Sequence, residues 1–177
     1  PRVPFIIQGP KQSKEGAISD KTIGTTDVIA TGAEILDIKL DQSDGVDSFS
    51  MVPLVSKETQ DNFERSYKIH HSINGSFAIR QGMYQVIFCP GSGGWIIPKP
   101  SQNETKNLPK FQLYNLDNDP SESNNLYGKL PELEDELIAI FKNAITNGRT
   151  TDGDVQKNFP TNRFNEKWEP LAIFSKD

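Results

Sequence analysis

The sequence predicts a chain of the α/β class (an α+β fragment): the end of an α/β layer, followed by a small antiparallel sheet packed by a C-terminal helix. Three observations predict it. An apolar run at residues 3–8 precedes a loop and a helical pattern, which is the element order of an α/β layer. Short strand-like runs separated by tight turns follow between residues 69 and 116. A strongly patterned helix then begins at Pro131.

The first element is predicted as a buried strand at residues 3–8, closed by Gly9-Pro10. The chain begins with Pro1 and has no Met at its start. A domain seldom opens on a buried strand without a lead-in. We therefore expect the chain to be the later part of a longer protein.

A helix is predicted next, with Thr25 or Thr26 as its N-cap and Asp27 in its first turn. Four residues recur at helical spacing and line one face: Val28, Gly32, Ile35 and Leu36. Because a helical glycine costs about 1 kcal/mol, Gly32 predicts a close approach to a neighbouring element. The apolar residues 50–55 include Pro53, which argues against a central strand.

The antiparallel sheet is predicted from alternation at residues 69–72 and from strands at 76–80, 84–89 and 111–116. Asn74-Gly75 is a strong signal for a tight turn between strands. Residues 89–100 hold three glycines and three prolines and are expected to form a loop.

The last helix is predicted from Pro131 at its first position to Gly148 after its last turn, with acidic residues loading its N-terminal end. One apolar stripe must pack on the sheet: Leu133, Leu137, Ile140, Phe141 and Ala144. The polar tail of residues 149–177 is expected to be pinned to the body by its large aromatic residues: Phe159, Phe164, Trp168 and Phe174.

The composition excludes several classes of function. The net charge of −5 and scattered basic residues give no electrostatic footprint for nucleic acid or an anionic membrane. No apolar run approaches the roughly 18 residues of a membrane span. A single cysteine, Cys89, excludes an intramolecular disulfide and any multi-cysteine metal site.

Three motifs suggest chemistry at first inspection. His70-His71 are adjacent, so in a strand they point to opposite faces and do not share a metal easily; a pocket-lining role and a plain packing role both remain open. Residues 91–94 lack the Lys and Ser/Thr of a phosphate-binding loop. Residues 117–119 lack the glycine and glutamate of a calcium loop, which favours an Asx turn with Pro120.

The segment at residues 113–126, LYNLDNDPSESNNL, resembles the LYDLxxDPxExxNLA signature near the C-terminus of type I sulfatases, the arylsulfatase family of the alkaline-phosphatase superfamily. Five further segments are similar to motifs of that family, in the family's order: the strand at 2–6, the loop at 10–16, the "xDLxPT" helix at 26–31, the G-x-S-x-x-P-L segment at 47–54 and the "xAIRxGxWKLI" hairpin at 77–87. The hairpin departs from the usual pattern at residues 83–85, which are Met-Tyr-Gln.

The resemblance implies a parent protein that hydrolyses sulfate esters with a formylglycine, made from the Cys or Ser of a C/S-x-P-x-R motif, beside a divalent cation, usually calcium. No proline of this chain has a Cys or Ser two positions before it. The family's metal-binding and catalytic residues lie upstream of its "RxPF" strand. We therefore expect no catalytic residue, no metal ligand and no cofactor within these 177 residues, and an inactive fragment.

The resemblance also implies a role in substrate selection, because the segment before the "AIR" strand lies near the mouth of the family's active site. The candidate substrate-binding residues are His70, His71, Ser72 and Asn74, with the loop at 91–95 second. The expected partners are a sulfated small molecule or carbohydrate and the N-terminal catalytic part of the same protein. A periplasmic or secreted location is expected for the parent.

The resemblance divides the chain into residues 1–60, the end of the α/β catalytic domain; 61–148, the small sheet subdomain with its helix; and 149–177, a tail packed on the body. Two other functions remain open. One is a phosphodiesterase or phosphonate hydrolase of the same superfamily, which a different upstream nucleophile would distinguish. The other is a stand-alone carbohydrate-binding or interaction module, which would have to fold by itself without an exposed apolar edge.

Overall fold

The computed structural model describes residues 3–8, 16, 18–56, 63–93, 96–98, 103–158 and 172–174. The chain divides into two units. The first unit comprises Pro1–Arg65 with Thr150–Asp154, and the second comprises Ser66–Arg149 with Val155–Asp177. Among the residues described, no helix combines the length and the apolar character that crossing a membrane requires.

The second unit is built on a four-stranded antiparallel meander in chain order. Its strands are β1 (Lys68–His71), β2 (Phe77–Gln81), β3 (Tyr84–Ile87) and β4 (Gln112–Asn115). The turn signals at Asn74-Gly75 and Gln81-Gly82 fix the register, so that His70 faces Ala78 and Ile79 faces Val86. The predicted antiparallel sheet is confirmed.

A helix of 17 residues, α3 (Pro131–Asn147), belongs to the same unit. Proline is tolerated at its start because the first N–H groups of a helix have no internal acceptor. It ends at Gly148, whose φ of +64° gives the left-handed cap that glycine adopts without strain. Both predicted ends are confirmed.

The core of the second unit lies between one sheet face and the apolar stripe of α3. Ile79, Val86 and Leu113 come from the strands, and Leu137 and Phe141 from the helix; none of the five is measurably exposed. Phe174 from the tail packs its ring against those of Phe88, Phe111 and Phe141. The predicted anchoring of the tail is therefore confirmed at Phe174. Phe159, Phe164 and Trp168 lie outside the described residues.

Among its described residues, the first unit forms two helices. These are α1 (Val28–Ile35), which follows a 3-10 turn at Thr25–Asp27, and α2 (Val52–Val55), which has Pro53 near its start. A small core forms from Met51, Leu54 and Phe63. The segment with Pro53 is thus a short helix, in agreement with the argument against a central strand.

Two predictions for the first unit are wrong. Residues 3–8 form no strand in the part of the chain described, and their apolar side chains are exposed, with Ile6 at 90%. An apolar run becomes a strand only where another strand accepts its backbone hydrogen bonds. Gly32 makes no close approach either, since an added Cβ would meet nothing within 4 Å.

Candidate functional site

The turn between β1 and β2, at Ser72–Ser76, carries two of the four predicted site residues. Ser72 N–H donates to Ser76 O (2.9 Å), and Gly75 N–H donates to Ser72 O (3.0 Å). The Asn74 Oδ1 atom accepts hydrogen bonds from Ser72 Oγ (2.5 Å) and Ser76 N–H (3.0 Å). The Ser72 hydroxyl and the Asn74 carbonyl therefore stabilise the turn itself.

The nitrogen of the Asn74 amide is not used by the turn. The residue is exposed, and within the described part of the chain its Nδ2 group makes no hydrogen bond. A primary amide carries two N–H donors on that nitrogen. The turn thus holds Asn74 in place by its Oδ1 atom and leaves the two N–H donors of Nδ2 exposed.

The two histidines lie on opposite faces of β1, as their adjacency predicts. The His71 ring contacts that of Phe77 edge-on at 5.8 Å, and Phe77 packs against the core. Its Nδ1 atom lies 3.0 Å from Ser72 O. His70 stands on the other face, opposite Ala78 of β2. The structure therefore does not bring His70 and His71 to one ligand.

The pKa of His70 is lowered below its ordinary value, first by partial burial and then by nearby positive charges that include Lys68 and Arg80. His70 would act as a neutral hydrogen-bond donor or acceptor at pH 7.

The glycine loop after β3 packs against the same turn. A Cβ built on Gly93 would lie 3.2 Å from Ser72 Oγ and 3.2 Å from Cys89 Sγ. Gly91 has φ +89°, and a Cβ there would lie 2.2 Å from Pro98 O. Position 91 therefore requires glycine, whereas at Gly93, whose φ is +63°, a side chain would be strained and would crowd Ser72 and Cys89. Gly94 and Trp95, which complete the predicted loop, lie outside the described residues.

Cys89 anchors the start of this loop from inside the protein. It is only 3% exposed, and burial raises the pKa of its thiol, although a hydrogen bond with Ser76 acts in the opposite direction. A buried protonated thiol is a poor nucleophile. Cys89 is a packing residue that links the loop to the turn.

Two side chains of β4 that sequence reasoning missed hold the loop from the other side. The Gln112 Nε2 group donates to Cys89 O and to Gly91 O, each at 2.7 Å. The Tyr114 hydroxyl donates to Gln112 Oε1 at 2.7 Å. No local signal could have found the two bonds to the loop, because they join residues separated by 23 and 21 positions.

The described residues contain no group of three or more His, Cys, Asp or Glu side chains arranged to hold a metal ion. The carboxylate of Asp119, in the calcium-like segment, instead accepts the backbone N–H groups of Ser123 and Asn124 at 2.8 Å each. These hydrogen bonds lower its pKa. The segment is a turn device, as the missing calcium-loop residues indicate.

The fold and this surface define a small antiparallel meander covered by one helix, with a polar turn and a glycine loop meeting at one end. No protein-family model matches the chain. The chain is 30% identical over 149 residues to an N-acetylgalactosamine-6-O-sulfatase of Bacteroides thetaiotaomicron; the match covers 82% of this chain and 27% of that protein.

A comparison with solved structures agrees with this match. One, from work on the metabolism of multiple glycosaminoglycans by Bacteroides thetaiotaomicron, superposes with a TM-score of 0.52 at 28% identity, covering 67% of this chain and 24% of that one. Another, a protein in complex with its substrate D-glucosamine-2-N,6-O-disulfate, has a TM-score of only 0.43 at 17% identity over 64% of this chain and 22% of that one.

These matches confirm the resemblance predicted from the motifs. Over 82% of its length the chain is similar to a sulfatase, and it is consistent with a C-terminal fragment of one. It spans about a quarter of the length of the relatives it matches.

Proposed function

We propose that the protein to which this chain belongs hydrolyses a sulfate ester on a sulfated sugar. The observation that carries the proposal is the 30% identity over 149 residues to an N-acetylgalactosamine-6-O-sulfatase. That relative makes the 6-O-sulfate of N-acetylgalactosamine the first substrate to test. By the family resemblance, the nucleophile is a formylglycine and the cofactor is calcium.

The proposal places both groups in the part of the protein outside this chain. No proline here is preceded two positions earlier by Cys or Ser, and the described residues offer no metal-ligand cluster. The fragment by itself is then inactive. By the same resemblance we propose a periplasmic or secreted location, and from the net charge of −5 and the scattered basic residues we propose no nucleic-acid or membrane partner.

The contribution of this chain is to select the sugar. The Ser72–Ser76 turn and the Gly91–Gly93 loop lie against each other, and the turn presents the Asn74 amide outward. Hydrogen-bond donors suit both sugar hydroxyls and the oxygens of a sulfate. His70 and His71 face different directions, so at most one of them joins Asn74 at a single ligand.

The first experiment is to recover the gene upstream of Pro1 and to produce the full-length protein and the 177-residue chain separately. We expect only the full-length protein to release sulfate from N-acetylgalactosamine 6-sulfate. Hydrolysis of phosphate diesters or phosphonates without release of sulfate would support the phosphodiesterase or phosphonate hydrolase alternative instead. A chain that turns over sulfate esters after rigorous purification would refute the placement of the catalytic residues.

Asn74→Asp in the full-length protein tests the role of the turn. The aspartate keeps an oxygen acceptor for Ser72 Oγ and Ser76 N–H, so the turn should persist, but it places a negative charge beside an anionic substrate. We expect the KM for the sugar sulfate to rise about tenfold or more with little change in thermal stability, since repulsion of like charges costs on the order of 1 kcal/mol or more.

The matched control for this test is Asn143→Asp. Asn143 is also exposed and also uses Oδ1 as an acceptor, from Asn147 Nδ2 at 3.3 Å, but it lies on α3. An equal rise in KM in both variants would show a general charge effect and would remove Asn74 from the substrate surface.

A further inference from the structure

The Gln112 side chain forms hydrogen bonds with both ends of its amide, two to the glycine loop and one to its own strand. One amide supplies two N–H donors and an acceptor oxygen. The donors bind Cys89 O and Gly91 O at 2.7 Å each, and the oxygen accepts the Tyr114 hydroxyl at 2.7 Å. Tyr114 is itself buried. The amide orientation is thereby fixed from both sides.

The loop that Gln112 holds has little freedom at its other contacts. Gly91 is enclosed by Pro98 O, and Ser92 N–H donates to that same oxygen at 2.8 Å. Gly93 lies close to Ser72 and Cys89, and its φ of +63° disfavours a side chain at this position. A displacement of Gly91 would therefore be transmitted through Gly93 to the Ser72–Ser76 turn.

We propose that Gln112 is a positioning residue for substrate recognition: its paired donation to Cys89 O and Gly91 O fixes the glycine loop against the Ser72–Ser76 turn and so sets the place of the Asn74 amide. The inference rests on the proposed function, because it concerns the same surface. Gln112 acts through the loop and does not touch the sugar. Tyr114 supports it by holding the amide oxygen.

The test compares three variants of the full-length protein: Gln112→Leu, Tyr114→Phe and the control Gln85→Leu. Gln85 is a buried glutamine of the adjacent strand β3, and its Nε2 group donates to Glu122 Oε1 at 2.9 Å, in the turn that follows β4. The control therefore removes an amide hydrogen bond from the same sheet and changes no atom that bonds directly to Gln112.

The kinetic readout separates positioning from folding. For Gln112→Leu we expect the KM for the sugar sulfate to rise about tenfold, the size of one lost hydrogen-bonded contact. The kcat and the turnover of a small aryl sulfate, which lacks the sugar, should stay within about twofold of wild type. Tyr114→Phe should change KM in the same direction by less, and Gln85→Leu should leave it unchanged. Equal losses on sugar and aryl sulfates, or a matching loss in Gln85→Leu, would overturn the inference.

Hydrogen exchange supplies a readout that does not depend on activity. Gln112→Leu should speed exchange at residues 72–76 and 88–93 and leave residues 116–126 as in wild type, whereas Gln85→Leu should not affect the first two segments. If the wild-type protein cleaves no sulfate ester, the proposed function fails, and exchange still decides whether Gln112 holds the loop and turn. Unchanged exchange in both segments overturns the inference.

Discussion

Among the charged residues that the structure describes, Asp27 is the most deeply buried. It has no exposed surface, and it accepts hydrogen bonds from Gly24 N–H (2.6 Å), Phe49 N–H (3.1 Å) and both terminal nitrogens of Arg65. Burial alone would raise its pKa, but the hydrogen bonds and charge of Arg65 and the two backbone donors hold the pKa below the ordinary value. Arg65 in turn stacks over Phe49 at 4.3 Å.

Replacement of Asp27 by Asn should therefore destabilise the first unit by about 3–5 kcal/mol at pH 7, because it leaves the guanidinium of Arg65 buried without its counter-charge. A carboxyl whose pKa is lowered by folding stabilises the fold above its unfolded pKa of about 3.9 and loses that contribution as the pH falls through the folded pKa. The difference between the two proteins should thus shrink below about pH 4. Urea unfolding across pH 3–7 measures it.

The control is Asp41→Asn, which changes an exposed aspartate of the same unit. It should leave the stability within about 0.5 kcal/mol of wild type. A constant difference between wild type and Asp27→Asn from pH 7 to pH 3 would contradict the assignment of Asp27 as the titrating group.

At the scale of elements, the turn from β4 to α3 explains the dense run of Asp, Asn and Ser between residues 115 and 125. Asn115 Oδ1 accepts Asp117 N–H at 3.1 Å, and Asn125 Oδ1 accepts both Leu113 N–H and Tyr127 N–H at 2.9 Å. The Glu134 side chain then accepts Gly128 N–H and Leu130 N–H just before the helix. Side chains here satisfy backbone groups that neither strand nor helix can pair.

Asn125→Ala should destabilise the second unit by about 2–4 kcal/mol, because two backbone donors lose their acceptor and each costs about 1–2 kcal/mol when left unpaired. Asn124→Ala is the matched control, since the neighbouring Asn124 is exposed and only its backbone is bonded in the described turn. It should fall within about 0.5 kcal/mol of wild type. Thermal unfolding of both variants gives the comparison, and equal losses would show that the Asn125 amide does not hold the turn.

How far the elements could be predicted depends on how local their causes are. Both ends of helix α3 can be predicted from the sequence, because Pro131, the acidic residues of the first turn and Gly148 are local signals that start and end a helix. The strands were found because tight turns lie between them. The strand predicted at residues 3–8 is absent because a strand needs a second strand, distant in sequence, to accept and donate its backbone hydrogen bonds. The pairing of Arg65 with Asp27 spans 38 positions and leaves no local pattern.

The same limit applies to the candidate site. The turn residues were predicted from a motif and lie together, whereas Gln112 could be recognised only after the sheet had brought it beside Gly91. The opposite directions of His70 and His71 follow from the two-residue period of a strand and were predictable.

At the scale of the whole molecule, ten of the sixteen large apolar side chains that are exposed among the described residues belong to the first unit. Large exposed apolar side chains cluster in the sequence of the first unit, at Val3, Ile6, Ile18, Val28, Ile29, Ile35, Leu36 and Ile38. Exposed apolar surface of this kind promotes association or marks a surface that another part of a protein covers. The second unit buries its corresponding stripe in its own core.

The isolated 177-residue chain should therefore self-associate at micromolar concentration through the first unit. Ile35→Lys, at a residue that is 64% exposed, should shift the chain toward monomer in light scattering and reduce its binding of a hydrophobic dye. Ile96→Lys replaces an isoleucine of the second unit that is 76% exposed and adds the same charge. If both variants become monomeric to the same extent, net charge is the cause and the apolar surface of the first unit is not. If the wild-type chain is a stable monomer, the first unit is self-sufficient, as the interaction-module alternative requires.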